Sequence, residues 1–233
     1  MRGLNLKELS LAGYSMGSDV KIGFVPPPRA SFMSRPIRAF IHTEALRHNL
    51  AQARARVPDA KLWAVVKANA YGHGIERVFE GLRGADGFAL LDLNEAQRVR
   101  DLGWRGPILL IEGVFEQRDL ELCSRLGLWH TVHCDEQIDM LATHKTHVGH
   151  RVFLKMNSGM NRLGLPVAEA LAVAPQAGAM GLDLVMSHFV SSEAPDDAIN
   201  AQQIARFDSV RAAFAGLPAS MSNSSGLFLP QRP

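Results

Sequence analysis

With 233 residues, 47% of them hydrophobic, the chain can build one large buried core or two small ones, which excludes a disordered tail. Its 25 Lys and Arg against 23 Asp and Glu leave a formal charge of +2, too weak a field to select nucleic acid, and 20 Gly with 12 Pro are ordinary usage. No apolar run approaches the roughly 18 residues of a membrane span, and Cys123 and Cys134 fit neither a disulfide framework nor a zinc spacing, so a reducing cytoplasm is the expected compartment.

Residues 1–33 carry scattered glycines and the Pro26-Pro27-Pro28 run without a period of 2 or 3.6, and read as a flexible leader or upstream extension. Lys7-Glu8 and Asp19 to Lys21 interrupt any apolar stretch that a secretory signal would need. Gly13-Tyr14-Ser15-Met16-Gly17 matches the G-x-S-x-G nucleophile elbow. Only twelve residues precede Gly13, too few for the strand and oxyanion loop the elbow requires, so the match reads as chance.

From residue 34 onward strands and helices alternate. An extra strand is expected at Ile37 to Ile41. A helix follows in which Leu46, Leu50, Ala53 and Val57 step by 4, 3 and 4. Near-continuous apolar runs at 62–66, 87–91, 107–111, 152–154 and 182–186, with weaker candidates at 129–133 and 219–222, give seven strands of a parallel sheet. A last helical stripe, Ile204, Phe207, Val210 and Phe214, steps by 3, 3 and 4. Such alternation suits a doubly wound sheet or an eight-stranded barrel. Polar residues decide: Lys67, Lys155 with Asn157, His188, and Asn223 with Ser224 each sit at the carboxyl end of a different strand, which is the barrel pattern. Gly72-His73-Gly74 lacks the third glycine of a dinucleotide turn. The expected fold is therefore a TIM-type (β/α)8 barrel occupying residues 34–233, incomplete at about seven strands.

Lys67 directly follows five apolar residues. At a dry strand end its charged form is disfavoured, which frees the amine for attack on a carbonyl. Histidines 144, 147 and 150, with His130 and His133 nearby, invite a metal reading, yet apart from Cys134 no carboxylate or cysteine completes a ligand set and Gly149 suggests a loop, so no metal is expected.

Residues 65–74, Val-Val-Lys-Ala-Asn-Ala-Tyr-Gly-His-Gly, resemble the pyridoxal-phosphate attachment segment of the alanine racemases, and residues 155–164, Lys-Met-Asn-Ser-Gly-Met-Asn-Arg-Leu-Gly, look like that family's second signature. Ser187-His188-Phe189 and Ser222-Asn223-Ser224-Ser225-Gly226 are also similar. The resemblance implies pyridoxal 5'-phosphate held by Lys67 as a Schiff base, Arg162 donating to its phenolic oxygen, and a carbamylated Lys155 orienting Arg162. It implies that Tyr71, Asn223 and Ser224 bind the cofactor, Tyr71 and Ser224 through its phosphate, with His188 beside the ring. Activity would interconvert L- and D-alanine through an external imine and a carbanion, in a cytoplasmic homodimer supplying D-alanine for peptidoglycan.

Two departures follow from the same resemblance. The family's opposite-face base is a tyrosine of a carboxyl-terminal β-domain, whereas this chain has Tyr14 and Tyr71 alone. The eighth strand and that domain are not found in the text, so a fragment of impaired activity is expected. The alternative is a non-catalytic pyridoxal-phosphate-binding barrel of the cofactor-homeostasis type.

Overall fold

The structure is a computed structural model and describes residues 39–144 and 151–230. Its sheet has seven parallel strands in sequence order: β1 (Trp63–Val65), β2 (Gly87–Leu90), β3 (Ile108–Leu110), β4 (Trp129–Val132), β5 (Val152–Lys155), β6 (Leu182–Met186) and β7 (Ala219–Ser220). Every neighbouring pair is parallel, as in Ala64↔Phe88, Ala89↔Leu109, Val132↔Leu154 and Met186↔Ser220. Strands so apolar need cover on both faces, and the crossover helices supply it on one and the barrel interior on the other. The result is a curled, TIM-type α/β half-barrel, as the polar strand ends require.

Among the described residues eight segments beside three short 3-10 turns accompany the strands: α1 (Thr43–Arg56), α2 (Lys67–Tyr71), α3 (Ile75–Leu82), α4 (Leu93–Asp101), α5 (Asp119–Leu126), α6 (Asp135–Thr143), α7 (Val167–Val173) and α8 (Ala198–Arg211). Period-2 alternation sorts the strand residues into two faces. Ala64, Val66, Phe88, Leu90, Ile108 and Leu110 pack outward against the first helices, and Val132, Val152, Leu154 and Val185 against the later ones. The opposite parity fills the interior: Trp63, Ala89, Leu109, Trp129, Phe153, Leu184 and Met186. Trp63, Trp129 and Phe153 meet edge-on at 5.3, 6.0 and 5.8 Å between ring centroids and form an aromatic floor at the amino ends of the strands. Such pairs contribute about 0.5–1.5 kcal/mol each beyond burial. Continuing the interior parity, 63, 65, 67 and 153, 155, carries Lys67 and Lys155 to the opposite, carboxyl rim.

The seven strands fall where the apolar runs place them. Phe207, Val210 and Phe214 are buried as their stripe predicts, while Leu46, Leu50 and Ala53 of α1, and Val57 just past its end, are only half-buried. That helix packs over α3 and the turn at 226–228 rather than directly on the sheet. Residues 39–42 form no strand, which corrects that part of the expected strand at Ile37 to Ile41; Ile37 and Arg38 lie outside the described residues. The leader, its G-x-S-x-G match, His147 and His150 also lie outside them. Among the described residues no helix is long and apolar enough to cross a membrane, and no cluster of His, Cys, Asp and Glu is arranged for a metal. Cys123 is buried, which pushes its thiol up to about 12 and leaves it an inert core residue.

Candidate active site at the carboxyl rim of the barrel

Beyond β1 the chain makes an uncommon turn. Ala68, Asn69, Ala70 and Tyr71 all have φ between 51 and 54°, so α2 is one turn of left-handed helix that presents Lys67 at its start. Left-handed geometry costs an L-residue about 1–2 kcal/mol, and asparagine least among non-glycine types. Asn69 anchors the turn. Its amide donates to Glu95 Oε1 at 2.6 Å, and its side-chain oxygen accepts from Ile75 N at 3.2 Å and Arg98 Nη2 at 2.7 Å. Ala70 N reaches back to Val66 O at 2.7 Å, and Gly72 and Gly74 close the turn onto Ala68 O and Asn69 O. Backbone strain beside Lys67 is thus held by partners from α3 and α4.

The expectation of a dry lysine at this strand end is met in part. Lys67 is half-buried, because β1 is an edge of the described sheet and its neighbour Val65 is 39% exposed. The dry lysine of the rim is Lys155, 7% exposed at the end of β5. Burial, then the Arg162 charge and that of Lys67, hold its ammonium form below the ordinary lysine range, with Glu112 opposing.

After Lys155 the chain loops out and returns in parallel at Leu165. Leu165 N donates to Lys155 O at 2.9 Å and Asn157 N to Leu165 O at 2.8 Å. Asn157 shapes the loop from within: its Oδ1 accepts from Gly159 N and Asn161 N at 3.0 and 3.1 Å, and its Nδ2 donates to Asn161 Oδ1 at 2.9 Å. Gly164, at φ +118°, crosses so close to the strand that a Cβ would lie 2.6 Å from Met156 C and 2.7 Å from Asn157 N. Arg162 stands exposed on this loop.

At the end of β6, Ser187 and Phe189 are buried and His188 is half-buried between them. Burial comes first among the causes that push the His188 imidazole down to about 4, followed by the charges of Arg162, Lys155 and Lys67. It is a neutral ring at pH 7.

Lys155, Arg162 and His188 line one cleft, with Met156, Asn157, Ser158 and Ser187 in its walls, and Lys67 acts on Lys155 and His188 through its charge. Tyr71, Asn223 and Ser224 do not line that cleft. Tyr71 is 60% exposed and Ser224 is exposed, while Asn223 Oδ1 is committed to the turn after β7, accepting from Gly226 N at 2.8 Å, Ser225 Oγ at 3.0 Å and Ser192 Oγ at 2.7 Å. Lys155, Arg162 and Lys67, with Glu112 as the carboxylate felt by Lys155, make a rim suited to an anionic ligand, and the amine of Lys67, one of the three, can condense with an aldehyde.

The model of the family described as "Alanine racemase, N-terminal domain" matches residues 41–232. The chain belongs to the alanine racemase family. The alanine racemase of Polaromonas sp. (strain JS666 / ATCC BAA-500) is 61% identical over 201 residues, 84% of this chain and 54% of that protein, and the alanine racemase of Albidiferax ferrireducens is 85% identical over 132 residues, 57% of this chain and 35% of that one. Thus the chain spans about half or less of the curated racemases it matches. Among solved structures, alanine racemase from Acinetobacter baumannii superposes with a TM-score of 0.77 at 32% identity, covering 81% of this chain and 57% of that one. Alanine racemase from Bartonella henselae with covalently bound pyridoxal phosphate gives 0.74 at 25% identity, covering 82% and 58%.

The structure brings Lys155, Arg162 and His188, named from the sequence, into one cleft, while sequence reasoning gave no holding role to Asn69, Glu95, Asn157 or Gln203. Gln203 had a readable signal. Asn200, Gln203, Phe207, Val210 and Phe214 step by 3, 4, 3 and 4, so two amides lie in phase with an apolar stripe, where a side chain needs internal partners.

Proposed function

We propose that the chain is the cofactor-carrying barrel portion of a pyridoxal-phosphate-dependent alanine racemase, interconverting L- and D-alanine. The observation that carries the reading is Lys67, an amine presented by a strained turn to a rim where Lys155 and Arg162 add positive charge and His188 is neutral. When bound, the cofactor supplies an electron sink for the charge left by loss of the α-proton. Lys67 Nζ would bind the cofactor aldehyde and, once displaced by the substrate amine, hold the α-proton on one face. Arg162 would donate to the phenolic oxygen with a rigid fork that lysine cannot copy. Tyr71, Asn223 and Ser224 would serve the phosphate side, the hydroxyls of Tyr71 and Ser224 as donors. His188, unable to carry a proton at neutral pH, would orient by hydrogen bonding alone.

Lys155 would be carbamylated. Burial and the neighbouring positive charges favour its uncharged amine, the form that adds carbon dioxide: a nitrogen–carbon bond forms, one proton leaves, and the resulting anion would attract Arg162 instead of repelling it. Residues 1–33 would be a leader or upstream extension and 34–233 the pyridoxal-phosphate-binding barrel domain. We place the enzyme in the cytoplasm as a homodimer that supplies D-alanine for peptidoglycan. By the family resemblance Lys67 would serve one face of the substrate and a β-domain tyrosine the other, so the 233 residues alone would racemise slowly. The non-catalytic barrel reading is less favoured, because the family match is to racemases and a storage protein has no use for a buried Lys155 facing Arg162.

The test is reductive trapping. Pyridoxal phosphate added to the purified chain should give a visible absorption that borohydride removes, and peptide mapping should find the label on Lys67. Label on another lysine, with Lys67→Ala binding as well as the parent, overturns the reading.

A further inference from the structure

Behind the rim lies a buried polar network that the reading above does not use. Gln203, 0% exposed on α8, donates Nε2 to Ser158 Oγ at 3.0 Å and to His188 O at 2.9 Å, and its Oε1 accepts from Val190 N at 3.0 Å. Ser158 Oγ meets Ser187 Oγ at 2.7 Å, and Ser187 Oγ donates to Met156 O at 2.9 Å. Since Ser187 has one hydroxyl hydrogen and gives it to Met156 O, Ser158 must be the donor in the serine pair. The chain of hydrogen bonds therefore runs one way, from Gln203 through Ser158 and Ser187 to the strand carbonyl, with every hydrogen used. Ser158 and Ser187 are 1% and 3% exposed, so any broken link leaves a dry unpaired group. Arg206, one turn on from Gln203, donates to Ser158 O at 3.2 Å, and the loop approaches α8 so closely at Gly159 that a Cβ there would lie 3.0 Å from Arg206 Nη1.

The same device recurs around the barrel. Gln137, on the helix after β4, donates to Glu112 O and Val114 O beyond β3 at 2.8 and 3.0 Å and accepts from His133 N at 2.9 Å. Glu95, on the helix after β2, accepts from Asn69 N beyond β1. In each case the helix that follows an even-numbered strand sends one side chain to the loop of the preceding odd-numbered strand. At α8 the two loops so joined are those bearing Arg162 and His188.

We infer that Gln203 is a positioning residue: it fixes the β6 end that carries His188 against the β5 loop that carries Arg162, and so sets the geometry of the acid–base rim. The inference rests on the reading of this rim as the cofactor site, but its test needs no cofactor. In the full 233-residue chain the His188 imidazole is followed by NMR, its signal assigned by its loss in His188→Gln. Arg162, Lys155 and Lys67 are the charges acting on it, and its midpoint near 4 reports burial among them.

Gln203→Leu should raise that midpoint by about one pH unit or more toward the ordinary histidine value. Phe207→Leu, a truncation equally deep on the same helix, should leave it in place. Should Gln203→Leu fail to fold, Ser187→Ala breaks the serine pair and should raise the midpoint too. An unmoved midpoint in the folded Gln203→Leu, or in Ser187→Ala when that variant stands in for it, overturns the inference; so does an equal rise in Phe207→Leu. Failure of pyridoxal phosphate to attach at Lys67 would overturn the functional reading and leave this titration unchanged.

Discussion

The left-handed turn after Lys67 can be weighed by exchanging alanine for glycine at positions that differ only in backbone hand and burial. Ala68 is exposed at φ 51°, Ala70 is 5% exposed at φ 54°, and Ala51 is exposed in the right-handed α1. Glycine at Ala68 removes about 1.5 kcal/mol of left-handed penalty but returns about 0.7 kcal/mol of freedom to the unfolded chain. The net is about 0.8 kcal/mol of added stability. Ala70→Gly gains the same but loses a buried methyl worth about 0.8 kcal/mol, so it should be near neutral. Ala51→Gly should lose about 1 kcal/mol, the ordinary cost in a helix interior. Urea unfolding of the three variants beside the parent, at one pH, reads all these values. If Ala68→Gly is destabilised as much as Ala51→Gly, the strain assigned to this turn does not exist and Lys67 is presented by an ordinary helix start.

Two further outcomes follow from the geometry. Gly164→Ala drives a Cβ into the backbone of Met156 and Asn157, so borohydride trapping on Lys67 should survive while Arg162 is misplaced, seen as protection of the 157–165 amides from hydrogen exchange falling by at least tenfold; unchanged protection would refute the close approach. The Arg98 hydrogen bond comes first among the causes that hold Glu76 down to about 2 against its ordinary 4.5, so its stabilising contribution is complete above pH 4.5 and is lost as pH falls toward 2. The pair is largely exposed and the effect is small. Between pH 5.5 and 3.5 the urea midpoint of the parent should fall further than that of Glu76→Gln, and equal falls would show the pair to be silent.

Most strands were legible because a strand covered on both faces reads as an apolar run, with β4, which buries His130 and Thr131, and the short β7 giving the weaker signals. The rim positions of Lys67, Lys155 and His188 were legible for the same reason, whereas Arg162 was named only from the family signature in which it lies. What escaped is of a different kind. Nothing in Ala-Asn-Ala-Tyr announces a left-handed turn, since its hand is set by Glu95 and Arg98 from a helix more than twenty residues on. The half-burial of Lys67 depends on β1 being an edge, which is a property of the sheet and not of the residues near it. The assignment of Asn223 changes in emphasis as well: its oxygen already has three donors, so any role toward a ligand falls to its amide nitrogen.

These placements divide the labour between odd and even units of the barrel. Lys67 follows β1, Glu112 follows β3, Lys155 ends β5 and Asn223 with Ser224 follow β7, so odd strands deliver most of the charged and hydroxyl chemistry. Even strands are followed by α4, α6 and α8, whose Glu95, Gln137 and Gln203 fasten the loops that the odd strands emit. A barrel rim is loop, and a loop on its own is the most mobile part of a fold. Fastening each pair of loops through a side chain of a packed helix gives the rim the rigidity of the core without placing the fastener where a ligand must enter. His188 is the exception, a chemical group on an even strand. Its fastener grips the backbone carbonyl of the residue itself, 2.9 Å from Gln203, as Gln137 grips that of Glu112 at 2.8 Å, so in both places it is the main chain that the helix fixes.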